Sequence, residues 1–247
     1  MAEERSTITQ VRAITLSREY GSGGGEIAER LAQRLHWQLI DHEVVTRVAK
    51  RLGVSEAEVA EHDERADSLA ARILNSLRFV QPIVPVSYDV DVPAPMSSHV
   101  FYEAQSQVID GAVAAGHVVI VGRGAQAHLA SQRDVFHVRI VAPLEARVTY
   151  VIRREGRDQA NARDRILHKD EERGRYLQMF YKQHPSDAHL YDLILNTAVL
   201  DLDSAVDVIA LAVERKDKRL AIPLPELGPS TGLAPYPGQP EDFLPHT

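Results

Sequence analysis

The segment Arg18-Glu19-Tyr20-Gly21-Ser22-Gly23-Gly24-Gly25 is the first place where residue type and spacing suggest chemistry. Glycines at 21, 23, 24 and 25 remove the Cβ atoms that would keep a ligand from the backbone. A turn of this kind, leading from a strand into a helix, points free N–H groups and the positive helix end at one spot. The result is an anion site, most often for phosphate. Against the phosphate-loop pattern G-x-x-x-x-G-K-[ST], Gly23 takes the second glycine. Arg18 then holds the place of the first glycine, Gly24 that of the lysine and Gly25 that of the hydroxyl residue. A dinucleotide fingerprint fits Gly21 and Gly23, with Asp41 about twenty residues on as a ribose-binding acid, but Glu26 occupies the third glycine position.

Two further groups of residues invite a role. Gly122-Arg123-Gly124 directly follows a continuous apolar run, and a guanidinium there can grip a phosphate by two parallel bonds. Arg147, Arg153, Arg154, Arg157, Arg163, Arg165, Arg173 and Arg175 alternate with acids. Taken singly they read as a solvated helix with i,i+4 ion pairs. Taken together, on two helices joined by Glu155-Gly156-Arg157-Asp158, they form a flap able to bring arginines over bound phosphates, with Arg154 and Arg163 the best placed.

The elements that must position these residues follow from periodicity. Val11 to Ser17 is a strand-length apolar run, and Ile27, Leu31 and Leu35 with Ala28 and Ala32 form one helical face after it. Trp37 to Asp41 is a short second strand. Helices are expected over 42–52, 55–64 and 66–79, the second opened by the Ser55/Glu58 capping box, and Pro82, Pro85, Pro93 and Pro95 then break regular structure. Ser98 to Ala115 is a helix stopped by Gly116, His117 to Val121 a buried strand, and Val135 to Val141 another. Pro143 opens a helix through Arg154, a charged helix runs from Gln159 to about Lys182, and Tyr191–Asn196 and Ser204–Lys216 complete the series. Strands alternating with helices imply a doubly wound α/β fold with about five parallel strands, whose ligands sit beyond the strands' carboxyl ends. Those ends carry Arg18 and the glycines, Asp41, Gly122-Arg123 and Asn196-Thr197.

Composition narrows the class. The 247 residues contain no cysteine, so disulfides, thiolate metal sites and cysteine nucleophiles are excluded, which fits a reducing cytoplasm. No signal peptide and no bilayer-length apolar run is visible. A formal net charge of −7 argues against bulk nucleic-acid binding.

The runs Ser17–Gly24, Asp41-His42-Glu43, Val119–Arg123, Asp170-Glu171-Glu172-Arg173 with Tyr176, and Tyr191–Thr197 resemble, in order, the cytidylate kinase-like family of P-loop proteins. The resemblance implies a nucleoside monophosphate kinase fold: a three-layer α/β domain over 11–218 with a helical acceptor-binding insertion at 42–97 and an arginine-rich lid at 153–184. Residues 1–10 are expected to be a flexible leader and 219–247 a Pro-rich flexible tail. It further implies that Arg18, Tyr20 and Gly21, Ser22, Gly23, Gly24 and Gly25 hold the phosphates of ATP, with Mg²⁺ bridging them. Asp41, Gly122 and Arg123 would bind the acceptor; no protein metal ligand is expected.

The chain departs from the family pattern at Gly124, where true cytidylate kinases carry aspartate, at Glu43, where they carry glycine, and at Gly24, which lacks the lysine. A basic residue is common in the family at the position of Gly25. Arg18 is the candidate to supply the missing charge. The expected function is ATP-dependent phosphoryl transfer to a small acceptor, with CMP or dCMP the family's suggestion. Arg18, Asp41, Arg123, Arg154 and Arg163 are the candidate catalytic residues, Asp41 among them the candidate base. The expected partners are the nucleotide donor, the small acceptor and a second copy of the chain in a homodimer, with no membrane. The rival expectation is a nucleotide-binding regulatory or sensor protein that keeps the pocket without the chemistry.

Overall fold

A computed structural model describes residues 8–41 and 98–228. The helices expected over 42–79, the Pro-rich segment to 97, the insertion as a unit and residues 229–247 lie outside the described residues.

Strand β1 (Ala13–Arg18) leads into helix α1 (Gly24–Leu35) and strand β2 (Gln38–Ile40). Helix α2 (Ser98–Ala115), strand β3 (Val118–Val121), the short α3 (Ala125–His128) and strand β4 (Val135–Val141) follow. Helices α4 (Leu144–Glu155) and α5 (Gln159–Tyr181) precede β5 (Leu193–Asn196) and α6 (Leu202–Arg219). The five strands are all parallel, in the order β2-β3-β1-β4-β5.

Each boundary has a local cause. Gly116 ends α2 in the left-handed conformation, its N–H returning to the Ala112 carbonyl at 3.1 Å. Asp158 caps α5 through the Asn161 N–H at 2.9 Å, and Asp201 caps α6 through Ser204 at 2.8 Å. Gly156, also left-handed, closes α4 and lets the chain reverse into α5.

The sheet is covered on both faces, so its central strands are apolar throughout their middle. On one face Ile14, Leu16, Val119 and Val138 pack against Ile27, Ala28 and Leu31 of α1 and Val206, Ile209 and Val213 of α6. On the other, Ala13, Val118, Ile120 and Val135 meet Val108, Ile109 and Ala112 of α2. Each fully buried leucine or isoleucine in these layers contributes about 1.5–3 kcal/mol. That second face turns polar toward its carboxyl end. Thr15 Oγ1 bonds His137 Nδ1 at 2.7 Å, and Arg139 donates to Ser17 Oγ at 3.2 Å; both are pairs of directly opposed residues on β1 and β4.

Both ends of the domain are tied down further than the sequence suggests. Ile8 is buried, and one buried carboxylate oxygen of Asp217 accepts the N–H groups of Thr9, Gln10 and Val11 at 3.1, 2.6 and 2.8 Å. Residues 8–10 are thus held to α6 instead of belonging to a free leader. Beyond 219, Leu220 packs on the core, Arg133 donates to the Ile222 carbonyl at 2.8 Å and Leu224–Glu226 form a helical turn. The start of the Pro-rich segment is therefore ordered, because it closes the ends of β4 and α6.

Candidate active site

The carboxyl ends of β1 and β3 lie side by side, and the site is built there. The first hydrogen bond of α1 joins the Ile27 N–H to the Gly23 carbonyl at 3.0 Å. The N–H groups of Gly23, Gly24, Gly25 and Glu26 precede it and have no partner within the helix, which is the donor set an anion needs. The loop ahead of them is held rigidly. Ser22 Oγ donates inward to the Glu19 and Ile140 carbonyls at 2.8 and 3.3 Å, and Thr197 Oγ1, just past β5, donates to the Ser22 carbonyl at 2.9 Å.

Arg18 takes an unusual course. A Cβ built on Gly24 would lie 2.7 Å from the Arg18 Cβ and 3.1 Å from its Cγ, so the arginine stem fills the space where a side chain at 24 would begin. Its guanidinium ends against Gly122, whose missing Cβ leaves the room for Nη1. Gly122, Arg123 and Gly124 all adopt positive φ, at 78°, 59° and 66°. Two of the three are glycines, for which this costs little, while Arg123 carries the strain that such sites often store.

Three guanidinium groups converge. Burial, reinforced by the positive charges of Arg173 and Arg123, lowers Arg18 to about 10, against the opposing pull of Asp41. Burial likewise lowers Arg123 and Arg173, with Asp170 partly offsetting it in the latter. All three remain charged at neutral pH. Like charges held together out of water in this way form a receptor for an anion.

A network of acids and arginines fixes the loop from behind. Asp170 of α5 accepts the Tyr20 N–H at 2.8 Å and Arg147 Nη1 at 2.5 Å. Arg147 also donates to the Tyr20 carbonyl at 3.2 Å, and Arg173 to the Arg18 carbonyl at 3.2 Å. Glu19 accepts the Ala142 N–H at 3.1 Å and lies 3.7 Å from Arg139 and 3.6 Å from Arg147. A cavity of about 750 Å³ opens in front, lined by Arg18, Gly122, Arg123, Gln126, Arg139 and the α5 segment from Lys169 to Gln178. Its size is that of a small-molecule site.

The structure brings Arg18, Asp41, Gly122 and Arg123 together at the strand ends, as their sequence positions suggest. Tyr20 turns elsewhere: its hydroxyl donates to Glu155 at 2.5 Å and accepts from Arg165 at 2.8 Å, clamping the loop to α4 and α5. Arg154 pairs with Glu26 at 3.2 Å and Arg163 with Glu145, and neither lines the cavity. Arg139 and Gln126 line the candidate site without having been named from the sequence, while Arg173, Asp170 and Glu19 entered there only as members of longer runs with no individual role. The available signals were Arg139, a charge inside an otherwise buried strand, and Arg173, within the Asp170–Arg173 run.

The residues fit the phosphates of a nucleotide, since unpaired amides and buried cations face one region. For Mg²⁺ the fit is indirect. Ser22 points inward, Gly25 has no side chain, and no cluster of three potential ligands exists among the described residues. Any magnesium here would be carried by phosphate oxygens and water, as this ion commonly is.

Comparison with known proteins agrees with this architecture. The family model of the cytidylate kinase-like family matches residues 13–199. A cytidylate kinase from Methanopyrus kandleri is 31% identical over 109 residues, covering 40% of this chain and 55% of that protein, so the chain spans about half the length of this relative. A cytidylate kinase from Ignicoccus hospitalis is 26% identical over 202 residues, covering 79% of this chain and 95% of that one. The crystal structure of an uncharacterized protein from Eubacterium ventriosum superposes with a TM-score of 0.61 at 21% identity, over 82% of this chain and 98% of that one, which shows the shared fold. On the family match, over most of its length, this chain belongs to the cytidylate kinase-like family.

Proposed function

We propose that this protein transfers the γ-phosphoryl group of ATP, as its magnesium complex, to a small acceptor, most simply a nucleoside monophosphate such as CMP or dCMP. The observation that carries the reading is the convergence of Arg18, Arg123 and Arg173 beside the open first turn of α1. Family membership supports a nucleotide-kinase-like role. Phosphoryl transfer asks little of a protein beyond positioning and charge neutralisation, and this site is equipped for both.

In this reading the amides of Gly21–Gly25 cradle the donor phosphates. Arg18 stands at the junction of donor and acceptor, doing from β1 what a lysine at position 24 does elsewhere. Arg123 grips the acceptor phosphate, and Asp41 accepts the acceptor's proton or orients its oxygen. Arg173 is better placed to meet the transferred group than Arg154 or Arg163, which would first have to leave Glu26 and Glu145. No helix among the described residues is long and apolar enough to cross a membrane, and the proposed place of work is the cytoplasm, where ATP is available. A homodimer belongs to the same proposal.

A sensor that binds nucleotide without turnover is the second reading, favoured by the bare Gly24 and Gly25. A coupled assay across the nucleoside monophosphates, with calorimetry for ATP, separates the two. The kinase reading expects turnover that Arg123→Ala abolishes while ATP affinity stays nearly intact. ATP binding without turnover on any acceptor leaves the sensor, and absence of both ATP and GTP binding removes both.

A further inference from the structure

Gln126 stands in the first turn of α3, two residues past the Gly124 that replaces an aspartate. It is 4% exposed. It lines the cavity and makes no side-chain hydrogen bond to any described residue. Two other polar side chains of the same cavity wall are bonded elsewhere: Tyr176 donates to Gln105 at 3.1 Å, and Arg139 to Ser17. A polar group this deeply placed on the cavity wall, with no hydrogen-bond partner among the described residues, is available to whatever fills the cavity.

The other candidate reader is gone for a physical reason. At Gly124 a Cβ would lie 2.5 Å from Cε2 of Tyr181, whose ring occupies the space that an aspartate side chain would need. Tyr181 is locked there by Tyr102, 5.7 Å away edge-on, which in turn stacks on Phe180 at 4.5 Å. Position 124 cannot present a carboxylate to the acceptor while that aromatic cluster is in place.

We propose that Gln126 is the specificity-determining residue of the acceptor site. With the acceptor's anionic end at Arg18 and Arg123, the amide pairs with a neutral edge that offers a hydrogen-bond donor beside an acceptor, as a nucleobase does. An amide presents one donor face and one acceptor face, and rotation exchanges them. A carboxylate only accepts and demands an amino-type partner; an amide admits either order of donor and acceptor. The site therefore takes base-bearing phosphomonoesters and reads more than one base. This inference rests on the phosphotransferase reading.

Calorimetry on the full chain tests it, with inorganic phosphate, ribose 5-phosphate, CMP, UMP and AMP as probes, and ATP as the reference. Gln126→Leu keeps the side-chain volume and removes the hydrogen bonds. It should leave ATP, phosphate and ribose 5-phosphate within about twofold and weaken the base-bearing ligands about 10- to 100-fold. Gln126→Glu, which only accepts, should favour CMP and AMP, with their amino groups, over UMP. Equal weakening of ribose 5-phosphate and the nucleotides, or no change in any ligand, overturns the role of Gln126. If the wild-type protein binds ATP but holds bare and base-bearing monophosphates alike, this inference alone fails. If it binds neither ATP nor any monophosphate, the phosphotransferase reading fails first.

Discussion

Arg18 and Gly24 compete for one side-chain volume, and exchanging them tests how this site works. Carbon atoms in contact normally sit about 3.5–4.0 Å apart. A Cβ on Gly24 would stand 2.7 Å from Cβ of Arg18, 3.1 Å from its Cγ and 3.3 Å from Cδ2 of Leu16. Only one of the two positions can carry a side chain. The usual phosphate loop places glycine first and lysine seventh; here arginine is first and glycine seventh. Gly24→Lys alone should overpack the loop and destabilise the fold by about 1–3 kcal/mol. Arg18→Gly alone should leave the fold intact. Burial pushes its guanidinium down to about 10, well below the ordinary arginine range, which makes holding it charged cost up to about 3 kcal/mol. The sign follows from linkage: a base depressed by folding opposes stability wherever both states are protonated, below about 10, and the penalty fades as pH rises above that toward the ordinary arginine range. At neutral pH the arginine is thus a burden on stability that only an anion relieves.

The rate should respond in the opposite direction. If phosphoryl transfer is the reaction, as proposed, removing Arg18 takes a cation from the phosphate loop, and by analogy with an arginine finger turnover should drop about 10³- to 10⁵-fold. In the double variant, Arg18→Gly with Gly24→Lys, the lysine has room and restores G-x-x-x-x-G-K. The two lesions should then couple by about 2 kcal/mol or more in stability, and part of the lost rate should return. Urea denaturation of the four proteins gives the stability cycle; coupled turnover with ATP and the acceptor found in the panel gives the rate cycle. Stability effects that simply add would show that the two side chains do not share a space. Full turnover in Arg18→Gly would show that the essential cation comes from elsewhere.

Two further perturbations probe the scaffold. Burial lowers His137 to about 4, so between that value and 6.5 the unfolded chain binds a proton that the folded one refuses, and stability should decline as pH falls through this window. Replacing it in His137→Gln should flatten the pH dependence there by close to one proton, about 1.4 kcal/mol per pH unit in urea titrations, and an unchanged slope would contradict the assignment. Asp217→Ala strips the acceptor from three consecutive N–H groups, so unfolding free energy should fall by about 2–4 kcal/mol with Ile8 becoming exposed to proteolysis. Asp217→Asn, which keeps an oxygen, should lose less, and equal losses would mean that charge rather than hydrogen bonding holds the strand.

What could be read from the sequence was whatever depends on local periodicity. Apolar runs identified the buried parallel strands to within one or two residues, because a strand covered on both faces is apolar at most positions, even with Thr15, Ser17, His137 and Arg139 paired inside β1 and β4. Arg18, Asp41 and Arg123 were accessible for the same reason, since they end strands and strand ends are where ligands collect. Residues on α5 were not. That helix spans Gln159–Tyr181 with charges on most of its surface, so periodicity says little about which face meets the sheet. The turn at Gly156 drew attention to Arg154 and Arg163. The part of α5 over the strand ends is Asp170 to Gln178, and Arg173 lies about 15 Å further along the helix than Arg163. Only the packing of Ala162 and Ile166 on Val148 and Val151 fixes that rotation and reach. Gln126 was silent because a glutamine in a short helix has no pattern of its own; its burial and its neighbours give it meaning.

The departures from the family pattern bear on whether this site is worn out or rebuilt. A site drifting out of use should leave empty volume where functional side chains were lost, because neighbours relax only partially around a deletion. The departures at Gly24 and Gly124 leave no void, although a Cβ on Gly25 would meet open space. The space beside Gly24 holds the stem of Arg18, and the space beside Gly124 holds the ring of Tyr181. In each pair the missing side chain and the intruding one come from different parts of the chain and could not coexist. The first pair places a cation beside the phosphate loop from another position; the second sets an aromatic wall where a side chain at 124 would stand, and Gln126 is the reader proposed in its stead. The three clustered arginines make the same case from energetics, since burial lowers the pKa of each and an anion bound among them would relieve that cost, over and above the hydrogen bond by which Arg173 holds the Arg18 carbonyl. Compensation of this kind is what a change of acceptor would leave behind, with the phosphate chemistry retained and the recognition surface redrawn.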